Sequence, residues 1–445
     1  MRLTFLVLPA FLMFLAVCCP AVALAAPGVF TPLPDAAVRA AADNAVDKAG
    51  GIPAVRSRLV TVDAAALFPM ADGGRNAVPD NRLGLNLFDD VTVAMTPTTV
   101  ETLGPAQTTV LVGENDAATG GQSRFAQTSG VLYGVVRTSG RLLYEIAPAG
   151  GDAYVIREID QGSYPDEHEV VVPDAALPRA ADAARAGTAA DDGSRIDIMV
   201  VYTPSTRTAV GGTAAMASRI ALGISETNQG YANSGLVQRF RLVYSGEVDY
   251  TESSGDSGFD AALNDLQGTA DGKMDNVHAL RNAYGADIVS LIINNDAYCG
   301  LGYLMTSTAS DFAAYAFNVV HYSCATGYYS LAHECGHNQG AQHERANASP
   351  PILYSYAYGY QQTAASPPFR TIMAYNCDGG CTRVNYWSNP DVSYNGYPTG
   401  VVSTSPTAAD NRLTLNNTRT IAANWRQAVT RTGVIAPLNG LLLNQ

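Results

Sequence analysis

Charge is scarce in this chain of 445 residues: 15% are Asp, Glu, Lys or Arg, against 47% hydrophobic. Basic charge is scarcer still. Two lysines, Lys48 and Lys273, stand in the whole sequence, and the formal net charge is −13. Phosphate contacts need clustered Lys and Arg, so nucleic acid is excluded as a partner. Anionic membrane surfaces need polybasic patches, and none exists. Beyond the N-terminus no apolar run is long enough to span a bilayer. Glycine numbers 41, yet glycine-rich calcium nonapeptides are absent and no calcium site is assigned. The apolar share excludes general disorder, and the length suits two or three folded units.

Cysteine is missing from residues 20–298. What precedes that gap is an export signal. Arg2, an apolar run from Leu3 to about Val17 and the small residues Ala23 and Ala25 predict a signal peptide over 1–25. Val17 and Cys18 fit a lipoprotein signal poorly. The mature protein is therefore expected outside the cytoplasm, secreted or periplasmic, with no membrane attachment after cleavage. There the five remaining cysteines, Cys299, Cys324, Cys335, Cys377 and Cys381, meet oxidising conditions. Cys377 and Cys381 flank an Asp-Gly-Gly turn that allows a local disulfide; Cys299 with Cys324 is the other candidate pair. Cys335 is expected to pack inward as a small apolar side chain.

Short alternating runs such as Thr108–Val112, Gly130–Arg137 and Arg141–Ile146 predict strands across 26–173. Residues 174–194 are rich in Ala, Asp and Gly and lack apolar anchors, as in an exposed linker. A second unit, 195–445, alternates strands with helices, which predicts an α/β (α+β) domain. Strands are expected at 195–202, 240–248, 287–293 and 315–321. Helices are expected at 212–233, 274–284, 329–340 and 410–428.

Histidine numbers only six, and three of them fall in one stretch, His333-Glu334-Cys335-Gly336-His337 followed by Gly340 and His343. On a helix His333 and His337 are separated by about 400°, so they share one face. Two imidazoles so placed can hold one zinc ion, and Glu334 projects beside them as a base. Gly340 tolerates the turn that brings His343 back as a third ligand. Three nitrogen ligands with an open fourth position describe a catalytic rather than a structural zinc site.

Thr371-Ile372-Met373-Ala374-Tyr375 follows downstream. The extended motif followed by a methionine turn resembles the metzincin zinc proteases, close to the reprolysin-like and peptidyl-Asp metalloendopeptidase groups. The resemblance covers about 195–428. It implies a catalytic domain with a mixed twisted sheet and an active-site helix, preceded by a β-rich pro-region. It also implies one zinc ion per catalytic domain, Met373 beneath it, and hydrolysis of peptides or proteins by an enzyme made as a zymogen. Tyr375 matches the astacin and serralysin tyrosine that steadies the developing oxyanion, with packing as the alternative. Glu344 also follows the astacin form and is expected to anchor backbone or a charged terminus. The stretch 315–321 resembles the antiparallel edge strand that pairs with substrate. With no cysteine in the pro-region, a cysteine switch is excluded.

The peptidyl-Asp resemblance further implies cleavage on the N-terminal side of Asp. An acidic side chain in the pocket beside the methionine turn needs a cation, and Arg383, or else Arg370, is the candidate; both can equally be surface charges. Cleavage before Asp191 or Asp192 would then allow self-processing in the linker. His168, His278 and His321 are expected to be structural. Tyr354, Tyr356, Tyr358 and Tyr360 alternate as on one strand face. Two other functions fit the motif less well: a catalytically silent binding module on a metzincin scaffold, and a zinc amidase acting on cell-wall peptides.

Overall fold

A computed structural model describes residues 28–34, 52–70, 76–173 and 190–429. The signal at 1–25 and residues 174–189 of the expected linker lie outside the described residues. Nine strands form one antiparallel sheet: β1 (Phe30–Pro32), β2 (Arg56–Val62), β3 (Leu83–Phe88), β4 (Val91–Leu103), β5 (Thr108–Asn115), β6 (Gln122–Thr128), β7 (Val131–Arg137), β8 (Leu142–Gly150) and β9 (Ala153–Asp160). Their order is β1-β2-β9-β8-β7-β6-β5-β4-β3. The two ends meet: Gly28 bridges Gly84, and the Phe30 amide donates to Asn86 Oδ1 at 3.0 Å. The sheet thus curls into a barrel that satisfies its own edges. Successive side chains point to opposite faces. Leu111, Phe125, Val136, Ile146 and Ile156 fill the barrel. Their neighbours Val110, Ala126, Val135, Ala147 and Val155 face outward against Ala221 and Leu222.

Those two residues belong to the second unit, on α2 (Thr213–Asn233), which follows β10 (Arg195–Tyr202) and α1 (Pro204–Val210). The opposite side of α2, with Met216, Ile220 and Ile224 one turn apart, enters the core of that unit. The helix is buried on both sides. The chain continues through β11 (Arg239–Glu247), α3 (Asp256–Gln267), α4 (Asn276–Tyr284), β12 (Ile288–Ile293), β13 (Gly300–Gly302), β14 (Phe317–His321), α5 (Ser330–Asn338) and α6 (Asn411–Ala422). The sheet order is β11-β10-β12-β14-β13. All pairings are parallel except β13 with β14.

Three expectations are corrected here. The stretch 315–321 is not the edge strand: β14 lies inside the sheet, parallel to β12, and every one of its residues is buried. The antiparallel edge is β13. The tyrosines at 354, 356, 358 and 360 form no strand. Tyr354 stacks on Tyr356 at 5.3 Å, and Tyr358 lies under Arg345. The last helix ends at Ala422.

Glu145 on the barrel wall joins the two units. It binds Arg219 of α2 at 2.8 Å and its own neighbour Arg157 at 2.9 Å, and accepts from the Tyr133 hydroxyl. Burial opposes ionisation of Glu145, but Arg219 and Arg157 outweigh it and hold the carboxyl at about 2. Farther along the chain Asn424 clamps Asp191, donating to its carbonyl at 2.9 Å and accepting from its amide at 3.0 Å.

Candidate active site

The α5 helix carries His333 and His337 one turn apart and stops at Gly340, whose φ of 88° is open to glycine. The reversal sends His343 back toward them. The three Nε2 atoms converge at 3.0, 3.0 and 3.1 Å. Each Nδ1 is engaged elsewhere. His333 donates to the Ile372 carbonyl at 2.9 Å, His337 to Ala341 at 2.8 Å, and His343 to Asn347 at 3.3 Å. That tautomer leaves three lone pairs facing one point, an arrangement suited to a metal cation. Ligands about 2.0–2.1 Å from a tetrahedral zinc lie roughly 3.3–3.4 Å apart, close to the observed triangle. Burial comes first in keeping all three imidazoles neutral. His333 and His337 lie well below the ordinary histidine range, and His343 near 3. The residues fit zinc.

Glu334 is 1% exposed and points along the cleft toward β13. A β-carbon on Gly300 or Gly302 would come within 2.4 or 2.8 Å of its carboxylate. The edge strand is therefore glycine where the Glu334 carboxylate needs room. Burial and the facing Glu167 carboxylate push Glu334 well above its usual range.

Below the histidines Met373 is fully buried, with Trp387 beside it. A β-carbon at Gly336 would meet both, 2.9 Å from the Met373 sulfur and 2.7 Å from Trp387. Glu344 accepts from the Tyr375 amide at 2.8 Å, tying the loop of the third histidine to the methionine turn. The Tyr375 ring lies 4.3 Å from that of His343, and its hydroxyl has no protein partner among the described residues. Burial, then the Glu167 and Glu334 carboxylates, keep this phenol protonated.

Arg370 and Arg383 are not surface charges; both are buried. Arg370 donates to the Ala374 carbonyl at 2.5 Å and to the Tyr328 hydroxyl at 2.6 Å, bracing the turn. Arg383 lies behind His333. Its Nε donates to the Ile372 carbonyl at 2.8 Å, and its Nη1 pairs with Glu167 at 2.6 Å. The same Glu167 oxygen accepts from Ser330 at 2.7 Å. Glu167, Ser330 and Gly300 were not found from the sequence. Glu167 stands in an acidic stretch with no motif, more than 160 residues upstream, and nothing local connects it to the cleft.

A family model described as Metallo-peptidase family M12 matches residues 192–388. A peptidyl-Asp metalloendopeptidase of Stenotrophomonas maltophilia (strain K279a) is 41% identical over 299 residues, 66% of this chain and 68% of the relative. A relative of the same name from Xanthomonas campestris pv. campestris is 36% identical over 331 residues, 74% and 72% of the two chains. A third, from S. maltophilia strain R551-3, is 39% identical over 304 residues, 67% and 69%. The chain belongs to the peptidyl-Asp metalloendopeptidase family. It is a zinc metalloendopeptidase that acts on peptides or proteins. The silent binding module and the cell-wall amidase are set aside.

Two disulfides brace the endopeptidase site. Cys299–Cys324 joins the start of β13 to the chain just after β14, and Cys377–Cys381 closes the loop after the methionine turn. Cys335 is free and buried beside Asn318. His168 touches Tyr298, His278 bonds the Gly268 carbonyl, and His321 is enclosed next to Cys324. Among the described residues no helix is long and apolar enough to cross a membrane.

Proposed function

We propose that the enzyme is secreted as a zymogen and cuts on the N-terminal side of Asp, one zinc ion being held by His333, His337 and His343. Bound there, zinc would supply the Lewis acidity that polarises a scissile carbonyl and acidifies an attacking water. Glu334 takes the proton of that water and returns it to the leaving amine, a role its place beside the ligands supports. Tyr375 offers its protonated hydroxyl to the developing oxyanion. Met373 and Trp387 floor the site, and Glu344 sets the Met-turn at its distance from His343.

The observation that carries the Asp reading is Arg383. Its guanidinium is 0% exposed, placed behind His333 with its Nη1 on the Glu167 carboxylate beside Glu334. Once the upstream segment carrying its partner Glu167 is removed, this buried cation needs another counter-charge, and an Asp side chain just past the cut supplies one. The relatives' printed name points the same way. Digesting a proteome with the processed enzyme and sequencing the new N-termini tests it. Asp should dominate the first position; an even distribution there refutes the specificity.

Maturation by a cut upstream of residue 191 completes the reading. Asp191 is clamped at both amide and carbonyl, so we place the cut among residues 174–190 rather than before Asp191 or Asp192. N-terminal sequencing of the secreted enzyme tests this, and an active form beginning at Ala26 refutes it.

A further inference from the structure

Arg383 already has a counter-charge, and it comes from the pro-region. After β9 the chain leaves the barrel and runs beside β13. Cys299 donates to the Asp166 carbonyl at 3.0 Å, His168 to Gly300 at 2.9 Å, Val171 to Gly302 at 3.2 Å, and Leu304 to Val171 at 2.9 Å. Residues 166–171 thus extend the catalytic sheet in parallel at its open edge, as the Val171–Tyr303 bridge shows. From this strand Glu167 turns inward. Its side chain is 2% exposed. One oxygen takes both Arg383 Nη1 and Ser330 Oγ; the other is buried without a donor, facing Glu334 and His333. The pro-region also grips Arg383 by its backbone. Arg137 donates to its carbonyl at 2.7 Å, and Gln161 accepts from its amide at 2.8 Å.

We infer that Glu167 is a built-in stand-in for the acidic side chain of the substrate, and that Ser330 shares with Arg383 the work of reading that carboxylate. This rests on the reading of Arg383 as the Asp-recognising cation. Removing the pro-region strips a fully buried guanidinium and a hydroxyl of their acceptor at once. The pocket left behind is matched to a carboxylate, and the freed edge of β13 is matched to an extended peptide. One displacement therefore opens both parts of the cleft.

The test uses the full chain carrying Glu334→Gln, whose turnover is expected to be too slow to consume the probe during the reading, and a fluorescent peptide with one Asp, or Asn in its place. Binding is read by anisotropy. Replacing Glu167 by Gln should tighten Asp-peptide binding at least tenfold, and Glu167→Asp, which keeps the charge, should tighten it much less. Adding Ser330→Ala should weaken the Asp peptide severalfold while leaving the Asn peptide unchanged. Equal melting temperatures establish that the variants are folded. If Glu167→Gln leaves Asp-peptide binding unchanged, the stand-in is wrong, even when the processed enzyme prefers Asp. If it tightens both peptides equally, the segment covers the cleft without mimicking a carboxylate, and the inference fails. If instead the processed enzyme shows no Asp preference, the proposed specificity falls by itself, on a separate measurement.

Discussion

The two large sheets treat their edges in opposite ways. The barrel joins its first strand to its third and leaves neither end open. The catalytic sheet ends in β13, three residues of Gly-Leu-Gly, and borrows a strand from the barrel's own tail to cover it. A sealed edge resists unwanted pairing, whereas an open one recruits a chain. The difference supports the proposed substrate edge, since β13 is the edge that the fold leaves for another segment to complete. It also explains why that edge is short and glycine-rich, since Glu334 stands directly behind it.

The sharpest way to test the working edge is to disable the group behind it. Glu334→Gln should lower turnover by about 10²–10⁴-fold while zinc content, read by metal analysis, stays at wild type. Near-normal turnover would remove Glu334 from the mechanism.

The seam between the two units is next. Glu145 is held at about 2 against an ordinary 4.5, with Arg219, Arg157 and the Tyr133 hydroxyl facing it. Its folded pKa is depressed, so its contribution is complete above about pH 4.5 and disappears as pH falls through about 2. Glu145→Gln strands two buried arginines and should cost on the order of 3 kcal/mol at neutral pH. Denaturant unfolding of the full chain across that window should show the variant losing part of the wild-type acid limb; superimposable limbs would contradict the assignment.

Arg383→Ala should come third, lowering kcat/KM on Asp-containing peptides by about 1.5–3 kcal/mol, roughly 10–150-fold, with Asn peptides little affected. Equal losses on both would reduce Arg383 to a support for His333. The smallest effect belongs to the edge itself. Gly300→Ala puts a β-carbon against Glu334 and should slow turnover about tenfold, with the melting temperature near wild type. Unaltered turnover would mean the base does not need that space.

What was legible in the sequence was what is local. His333, Glu334, His337 and His343 span eleven consecutive positions, so helix periodicity and one glycine were enough to bring them together. The strands at 195–202, 287–293 and 315–321 were visible as apolar runs bounded by turns. The order of those strands was not. β14 was read as the edge from resemblance alone, but a strand buried on both sides belongs inside a parallel sheet. The true edge is too short and too rich in glycine to register as a strand. Arg383 was picked for its nearness to the turn, yet its burial and its partner arise from a tail that folds across from another unit. No spacing within one segment encodes a contact of that kind.

The clamp of Asn424 on Asp191 reaches beyond the fold to the precision demanded of processing. In an enzyme whose fresh amino terminus must insert into a pocket, one bond alone yields a working product. Here the chain is already fastened from Asp191 onward, by side-chain bonds that take no part from the terminal amine. Stubs of several lengths ahead of that point leave the fastening untouched. Under the proposed maturation, a preparation with ragged ends would therefore be uniform in activity, and no single processing site would be required.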